Sequence, residues 1–353
     1  MKEAEKGLSG RILGGLVGAA SGDAMGAATE ARTTEQILSY FGHRVVDFET
    51  PPNDTFGAGN VPGQVTDDFS SAYFIAKAIV DAGGRVDEKI IQKALIEWSE
   101  HAVFFDRFAG PTTRLAIRIF QGEMIESSAR VDMTARQATN GAAMRISPIG
   151  LINAGNFDAA VRDAVTAAMV THDNYLAVSG ACAVSAAVSC AAGGGSDLYG
   201  VLQAGLKGAI EGEKAGRAAA KDVAGPSVVK RMEMAIDIGL RPGTPEEKMH
   251  EISDRIGTGL HVSEAVPAAF GFFAAAGGDS MGTIIGAVNA GYDTDTAATM
   301  AGAIAGALNG ASSFPEHFLP TLEEANHLAI SALAGKITDI AAAKQERTAG
   351  NER

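Results

Sequence analysis

Two short segments, far apart in the chain, carry the residue types best suited to holding a hard cation. They are Gly63-Gln64-Val65-Thr66-Asp67-Asp68 and Gly291-Tyr292-Asp293-Thr294-Asp295-Thr296. Each leaves a Gly-containing turn and opens a small-residue helix. Thr and Asp are also favoured at helix starts, where their oxygens satisfy free N–H groups and complement the dipole. Capping explains one such cluster, but two, each with paired aspartates plus threonine, are more acidic than caps require. Carboxylate and hydroxyl oxygens suit Mg²⁺, Mn²⁺ or Ca²⁺, and no His/Cys set is present for zinc. If the two helix starts face each other, four carboxylates and two hydroxyls could hold two ions about 3.5–4 Å apart. In a third acidic element, Asp23 and Glu30 lie seven residues apart, which would put both on one side of the chain if it is helical there.

The elements that position these groups read as helical. The 353 residues include 43 Gly and 65 Ala, with only 6% aromatics, and the small residues lie within apolar stretches. A close-packed helical core follows, since small residues let backbones approach and a β-sandwich would lack its fillers. Ala72, Ile75, Ala76, Ile79 and Val80 recur at helical spacing behind Asp67 and Asp68. Similar faces occur at 90–98, 113–120, 157–170, 176–192, 201–209, 228–238, 262–273, 284–288, 297–308 and 322–333. Residues 212–221, charged and Ala-rich, read as a solvated helix or helix end. Residues 44–48 are the best strand candidate, and the Pro/Gly/Asn-rich 51–63 reads as an ordered surface loop. No interdomain linker or fixed-period repeat is evident. One domain is expected over 1–344, with a polar, frayed tail at 345–353.

The charge of −13 argues against a nucleic-acid partner, because phosphate contacts rest on Lys and Arg. Residues 174–196 carry no charged side chain over a span of bilayer length, but they are mostly Ala, Ser and Gly, so a buried helix is expected and no membrane partner. Cys182 and Cys190 have no metal-ligand spacing and read as small buried fillers. A reducing compartment and a cytoplasmic location are the expectation, the N-terminus being a poor signal peptide.

Six segments in one order resemble the ADP-ribosylglycohydrolase family, which includes the enzyme that reactivates dinitrogenase reductase and the ADP-ribosylarginine and ADP-ribosylserine hydrolases. They are 14–30 (GGLVGAASGDAMGAATE), 63–68 (GQVTDD), 110–113 (GPTT), 140–150 (NGAAMRISPIG), Thr171-His172, and 289–310 (NAGYDTDTAATMAGAIAGALNG). The resemblance implies an all-α, compact single-domain orthogonal helical bundle with a binuclear Mg²⁺ or Mn²⁺ centre. Its metal ligands would be Thr66, Asp67, Asp68, Asp293, Asp295 and Thr296. Glu30 matches an acidic residue that approaches the metals and gates substrate entry in some members. Asp23, Asn140, Gly141, Ala142, Met144, Arg145 and His172 would contact substrate, the last in a region that meets ribose and phosphate. Independently, Asn140-Gly141 is a plausible tight turn, and Arg145 a natural anion partner.

The implied chemistry is hydrolysis at the anomeric carbon of an ADP-ribosyl or related ribosyl group, free or protein-linked, by metal-activated water. Asp67, Asp68 or Glu30 would take the proton and stabilise oxocarbenium-like charge. Three departures bear on substrate. Phe69 stands where Thr is common, and Tyr292 replaces the second Gly of the usual Gly-Gly-Asp. Phe108 stands where arginine-type members often carry Asp, with Asp106 out of register. Nucleoside N-ribohydrolysis on the same fold is therefore an alternative, as is a catalytically silent ADP-ribose-binding module. A phosphohydrolase DxDx(T/V) loop at Asp293 fails because Ala297 is the fifth residue and no strand precedes it. A dinucleotide-binding reading of 14–22 fails for want of a GxGxxG register. The residues carry no signal of oligomeric state.

Overall fold

The computed structural model describes residues 7–124 and 138–351, and among them the protein is all-helical. The first half holds α1 (Leu8–Gly26), α2 (Thr34–Phe41), α3 (Asp67–Asp81), α4 (Glu88–Ser99), α5 (Ala102–Phe108), α6 (Pro111–Phe120), the one-turn α7 (Gly141–Met144), α8 (Ser147–Ile152) and α9 (Phe157–Met169). The second holds α10 (Tyr175–Gly193), α11 (Leu198–Ala219), α12 (Val228–Leu240), α13 (Pro245–Arg255), α14 (Val262–Ala275), α15 (Ser280–Val288), α16 (Thr294–Asn309), α17 (Phe318–Asn326) and α18 (Ile330–Asn351).

At the centre α1 lies antiparallel against α16, and small residues set how close the two come. A β-carbon built on Gly14 would stand 2.2 Å from the Gly306 carbonyl oxygen, one on Gly18 2.0 Å from that of Gly302, and one on Gly22 2.2 Å from that of Ala298. One on Gly26 would stand 2.3 Å from the Asp295 Cα. The four glycines recur every four residues, so they form one stripe on α1 along which backbone meets backbone. That stripe runs directly into the second acidic cluster.

A second stripe joins α10 to α11. β-Carbons on Gly208, Gly212 and Gly216 would meet the Cys182 carbonyl oxygen at 2.5 Å, the Cys182 Cβ at 2.6 Å and the Tyr175 Cα at 2.7 Å. The segment read as a solvated helix thus has one packed face. Helix α10 is long and apolar enough to cross a membrane, but 89% of that span is buried inside the protein. Cys182 is fully buried there, and burial pushes its thiol up.

Residues 44–48 form no strand. The Asn289 side chain accepts from Val45 N (2.9 Å) and donates to Val45 O (2.8 Å), supplying the two bonds a neighbouring strand would have made. The face read over 322–333 is two helices, broken at His327 with φ 53°. Helix α18 continues past Lys344 to Asn351, and Gln345 Nε2 donates to Ala154 O (2.9 Å). Residues 1–6, 125–137 and 352–353 of the expected domain and tail lie outside the described residues.

Candidate active site

Helix α3 is held at its first turn by a carboxylate from another helix. Asp23, fully buried in α1, accepts from Thr66 N through Oδ1 (2.9 Å) and from Phe69 N through Oδ2 (2.8 Å). Those N–H groups have no partner within the helix, so Asp23 does for α3 what a cap does from inside the chain. Ser70 Oγ donates to Thr66 O (2.5 Å) and accepts from Trp98 Nε1 (3.0 Å), tying the same turn to α4.

Helix α16 opens on the second cluster. Asp293 is its N-cap residue; its N–H donates to Thr258 O (3.1 Å) and its Oδ2 accepts from Asn140 Nδ2 (2.6 Å). Thr294 Oγ1 donates to Gly26 O (3.0 Å), joining the cluster to the end of α1. The two clusters meet directly, because Thr296 Oγ1 lies 3.1 Å from both carboxylate oxygens of Asp68. Tyr292 sits just before Asp293 with φ 68°, the left-handed region that a tyrosine rarely adopts.

Six carboxylates converge here. Oxygens of Asp23, Asp68 and Asp295 lie within 4.8 Å of one another, as do those of Glu30, Asp293 and Asp295, so Asp295 belongs to both groups. Burial is the leading cause of the upward shift of every one, followed in most by repulsion from its neighbours. Asp23 is pushed up to about 6, Asp67 to about 7 and Glu30 to about 8, while Asp293 rises and Asp68 and Asp295 rise well above the carboxylate range. Acids packed this closely out of water repel one another unless protonated or neutralised by a cation. Hard oxygen donors in overlapping groups of three fit a divalent cation, and the set contains no sulfur or imidazole.

A cavity of about 530 Å³ opens onto these acids. Glu30, Asp67, Asp293, Asp295 and Thr296 line it, as do Asn140, Gly141, Met144 and His172. Of the residues expected from sequence to act at the site, Asp23, Thr66, Asp68, Ala142 and Arg145 do not line it. Asp23, Thr66 and Asp68 lie within the acidic cluster behind it, and Ala142 is buried in α7. Arg145 is 3% exposed and donates to Thr113 Oγ1 (3.2 Å) and to Thr171 Oγ1, so the anion-partner reading of its guanidinium does not describe where it points. Burial pushes it down to about 10, against the pull of Asp67 and Asp68. Gly141 abuts His172: a β-carbon there would stand 3.0 Å from the ring Cε1 and Nε2.

Phe108, Gly110, Pro111, Thr112 and Thr113 line another part of the cavity, whereas Asp106 is exposed and does not. Leu260 and His261 also line it, and sequence reading missed them. Asn140 N donates to Leu260 O (2.9 Å) and Thr139 pairs with His261 in an isolated β-bridge, a contact across more than a hundred residues that no local spacing announces.

A family model described as ADP-ribosylglycohydrolase matches residues 4–349. The chain is 29% identical over 344 residues to the uncharacterized protein YegU of Escherichia coli (strain K12), covering 96% of this chain and 98% of that protein. It is 26% identical over 332 residues to the ADP-ribosylhydrolase ARH3 of Bos taurus, covering 89% and 88% of the two chains. A solved structure titled "ADP-ribosylglycohydrolase-related protein complex" shares the fold, with a TM-score of 0.67 at 23% identity over 95% of this chain and 99% of that one.

Proposed function

The chain belongs to the ADP-ribosylglycohydrolase family, and from that premise we propose that it is a Mg²⁺- or Mn²⁺-dependent hydrolase that cleaves the bond at the anomeric carbon of an ADP-ribosyl or related ribosyl substrate. The observation that carries this reading is the convergence of three distant acidic segments on one cavity, in two carboxylate groups that share Asp295. That overlap supports a pair of ions; Asp68, Asp293 and Asp295 belong to it, and Thr66, Asp67 and Thr296 beside them complete the ligand set we assign. Divalent ions in such a site supply Lewis acidity and neutralise the acids around them.

The chain's own residues do the rest. Glu30 and Asp67 line the cavity, whereas Asp68 faces Thr296, so Glu30 and Asp67 are the acids placed to take the proton of the attacking water. Their charge also faces the ribose carbon on which positive charge develops as the leaving group departs. Asn140, fixed to Asp293, and His172 border the same space and shape where the sugar sits.

A nucleoside substrate is the second reading. Phe108 lines the cavity at the position where arginine-type relatives often carry Asp, and Pro111, Met144 and Leu260 give the leaving group further apolar surroundings.

One screen separates the two: hydrolysis of ADP-ribosyl-arginine, ADP-ribosyl-serine and a panel of nucleosides with Mg²⁺ or Mn²⁺ and with chelator. Release of ribose and base without action on ADP-ribosyl substrates selects the nucleoside reading. Asp293→Asn and Asp67→Asn are expected to abolish turnover while the helical circular dichroism is kept. Full activity in either variant refutes the metal-centre assignment, and binding of ADP-ribose with no turnover of any substrate points to a silent binding module.

A further inference from the structure

Arg145 is a buried cation near the acidic cluster that pairs with none of its carboxylates, and its two recorded contacts are both threonine hydroxyls. From those contacts we infer that Arg145 is a positioning residue, which acts through Thr171 and His172 to fix the Thr139 hydroxyl as a hydrogen-bond donor into the cavity. The substrate it fits presents an acceptor oxygen or nitrogen at that point.

The direction follows from which groups can only donate. A guanidinium has no acceptor, so Thr171 Oγ1 accepts from Arg145 Nη2. The hydrogen of that buried hydroxyl then needs an acceptor, and the partner recorded for it is His172 Nδ1 at 2.8 Å. Nδ1 must therefore be unprotonated. A neutral ring then carries its hydrogen on Nε2, which lies 3.0 Å from Thr139 Oγ1 and donates to it. Burial and the nearby Arg145 charge both keep the ring neutral. With its oxygen accepting from His172, Thr139 is left with its own O–H to donate, and Thr139 lines the cavity. The second Arg145 contact, to Thr113 at 3.2 Å, holds the guanidinium at the head of the relay.

The relay rests on the proposed function only in taking this cavity as the substrate site, and its first test needs no substrate. In full-length protein labelled with ¹⁵N-histidine, the His172 signals are assigned by their loss in His172→Gln. At pH 7 they are expected to show a neutral ring protonated on Nε2, and Thr171→Val to shift the population towards the Nδ1-protonated form. A wild-type ring protonated on Nδ1, or on both nitrogens, overturns the relay. The second test is kinetic, on whichever substrate the screen identifies. Thr139→Val is expected to raise KM about tenfold with a smaller change in kcat, as for one lost hydrogen bond, and Thr139→Ser to restore it. Wild-type KM in Thr139→Val overturns the donor role, even if the metal-dependent hydrolysis is confirmed.

Discussion

Replacing Gly26 by Ala tests whether the glycine stripe of α1 sets the geometry of the site or only the stability of the core. The new methyl would sit 2.3 Å from the Asp295 Cα, 2.4 Å from its N and 2.7 Å from the Thr294 carbonyl carbon. Those are backbone atoms, so no rotamer change relieves the clash, and α16 must retreat by about 1 Å to reach ordinary contact at about 3.5 Å. Overpacking of this kind costs about 1–3 kcal/mol. A shift of about 1 Å in a catalytic group costs on the order of 100-fold in rate. Gly14→Ala is the matched control, since its methyl would meet the Gly306 carbonyl oxygen at 2.2 Å. It stands about 18 Å further along the helix at about 1.5 Å per residue. Urea unfolding, Mn²⁺ titration calorimetry and hydrolysis are measured on both variants at a temperature where both are folded. Both are expected to lose stability, but only Gly26→Ala to lose Mn²⁺ affinity and about 100-fold in turnover. Equal loss of turnover in the two, or unchanged Mn²⁺ affinity in Gly26→Ala, refutes the idea that the stripe places Asp295.

The remaining predictions concern the acids and the turn beside them. Carboxylates raised to about 6, 7 and 8 (Asp23, Asp67 and Glu30) bind more protons in the folded than in the unfolded chain. The contribution of these acids to the stability of the metal-free protein is thus full below about pH 4 and is lost as pH rises towards 8; a urea midpoint in EDTA that rises between about pH 5 and 8 contradicts it. At pH 8 excess Mg²⁺ or Mn²⁺ should restore the midpoint, because a cation replaces the missing protons. Asp23→Asn keeps one acceptor and turns an amide donor towards a backbone N–H, so a loss of about 1–3 kcal/mol in urea unfolding is expected, with weaker Mn²⁺ binding; an unchanged midpoint removes Asp23 from the support of α3. Tyr292→Gly relieves the left-handed backbone at φ 68° and should raise stability by about 1 kcal/mol or leave it level; a fall in melting temperature assigns the tyrosine ring a packing role over Gly259.

Much of the site was legible because its chemistry is written in contiguous residues. Thr66-Asp67-Asp68 and Asp293-Thr294-Asp295-Thr296 announce oxygen donors at helix starts, and their meeting follows from the small residues around them. What could not be read is which way each polar group turns. The resemblance implies that Asp23 contacts substrate, yet two backbone N–H groups of α3 claim its oxygens. Arg145 lies in the motif that borders the cavity but is itself buried and donates to Thr113 and Thr171. Residues 44–48 have strand composition, and only tertiary structure reveals that an asparagine side chain completes their bonds. Leu260 and His261 reach the cavity by pairing with the segment before α7, which is a matter of topology.

The pairing of α1 with α16 also orders events during synthesis. Thr29 and Thr294, bonded in the finished protein, are separated by 265 residues, and the glycine stripe of α1 has its partner only beyond that point. At roughly 5–20 residues per second, α1 waits some tens of seconds on the ribosome with a bare backbone face. No cation can find both carboxylate groups until Asp293 and Asp295 have emerged, so the proposed metal centre would be a late product of translation and not a nucleus around which the nascent chain collects.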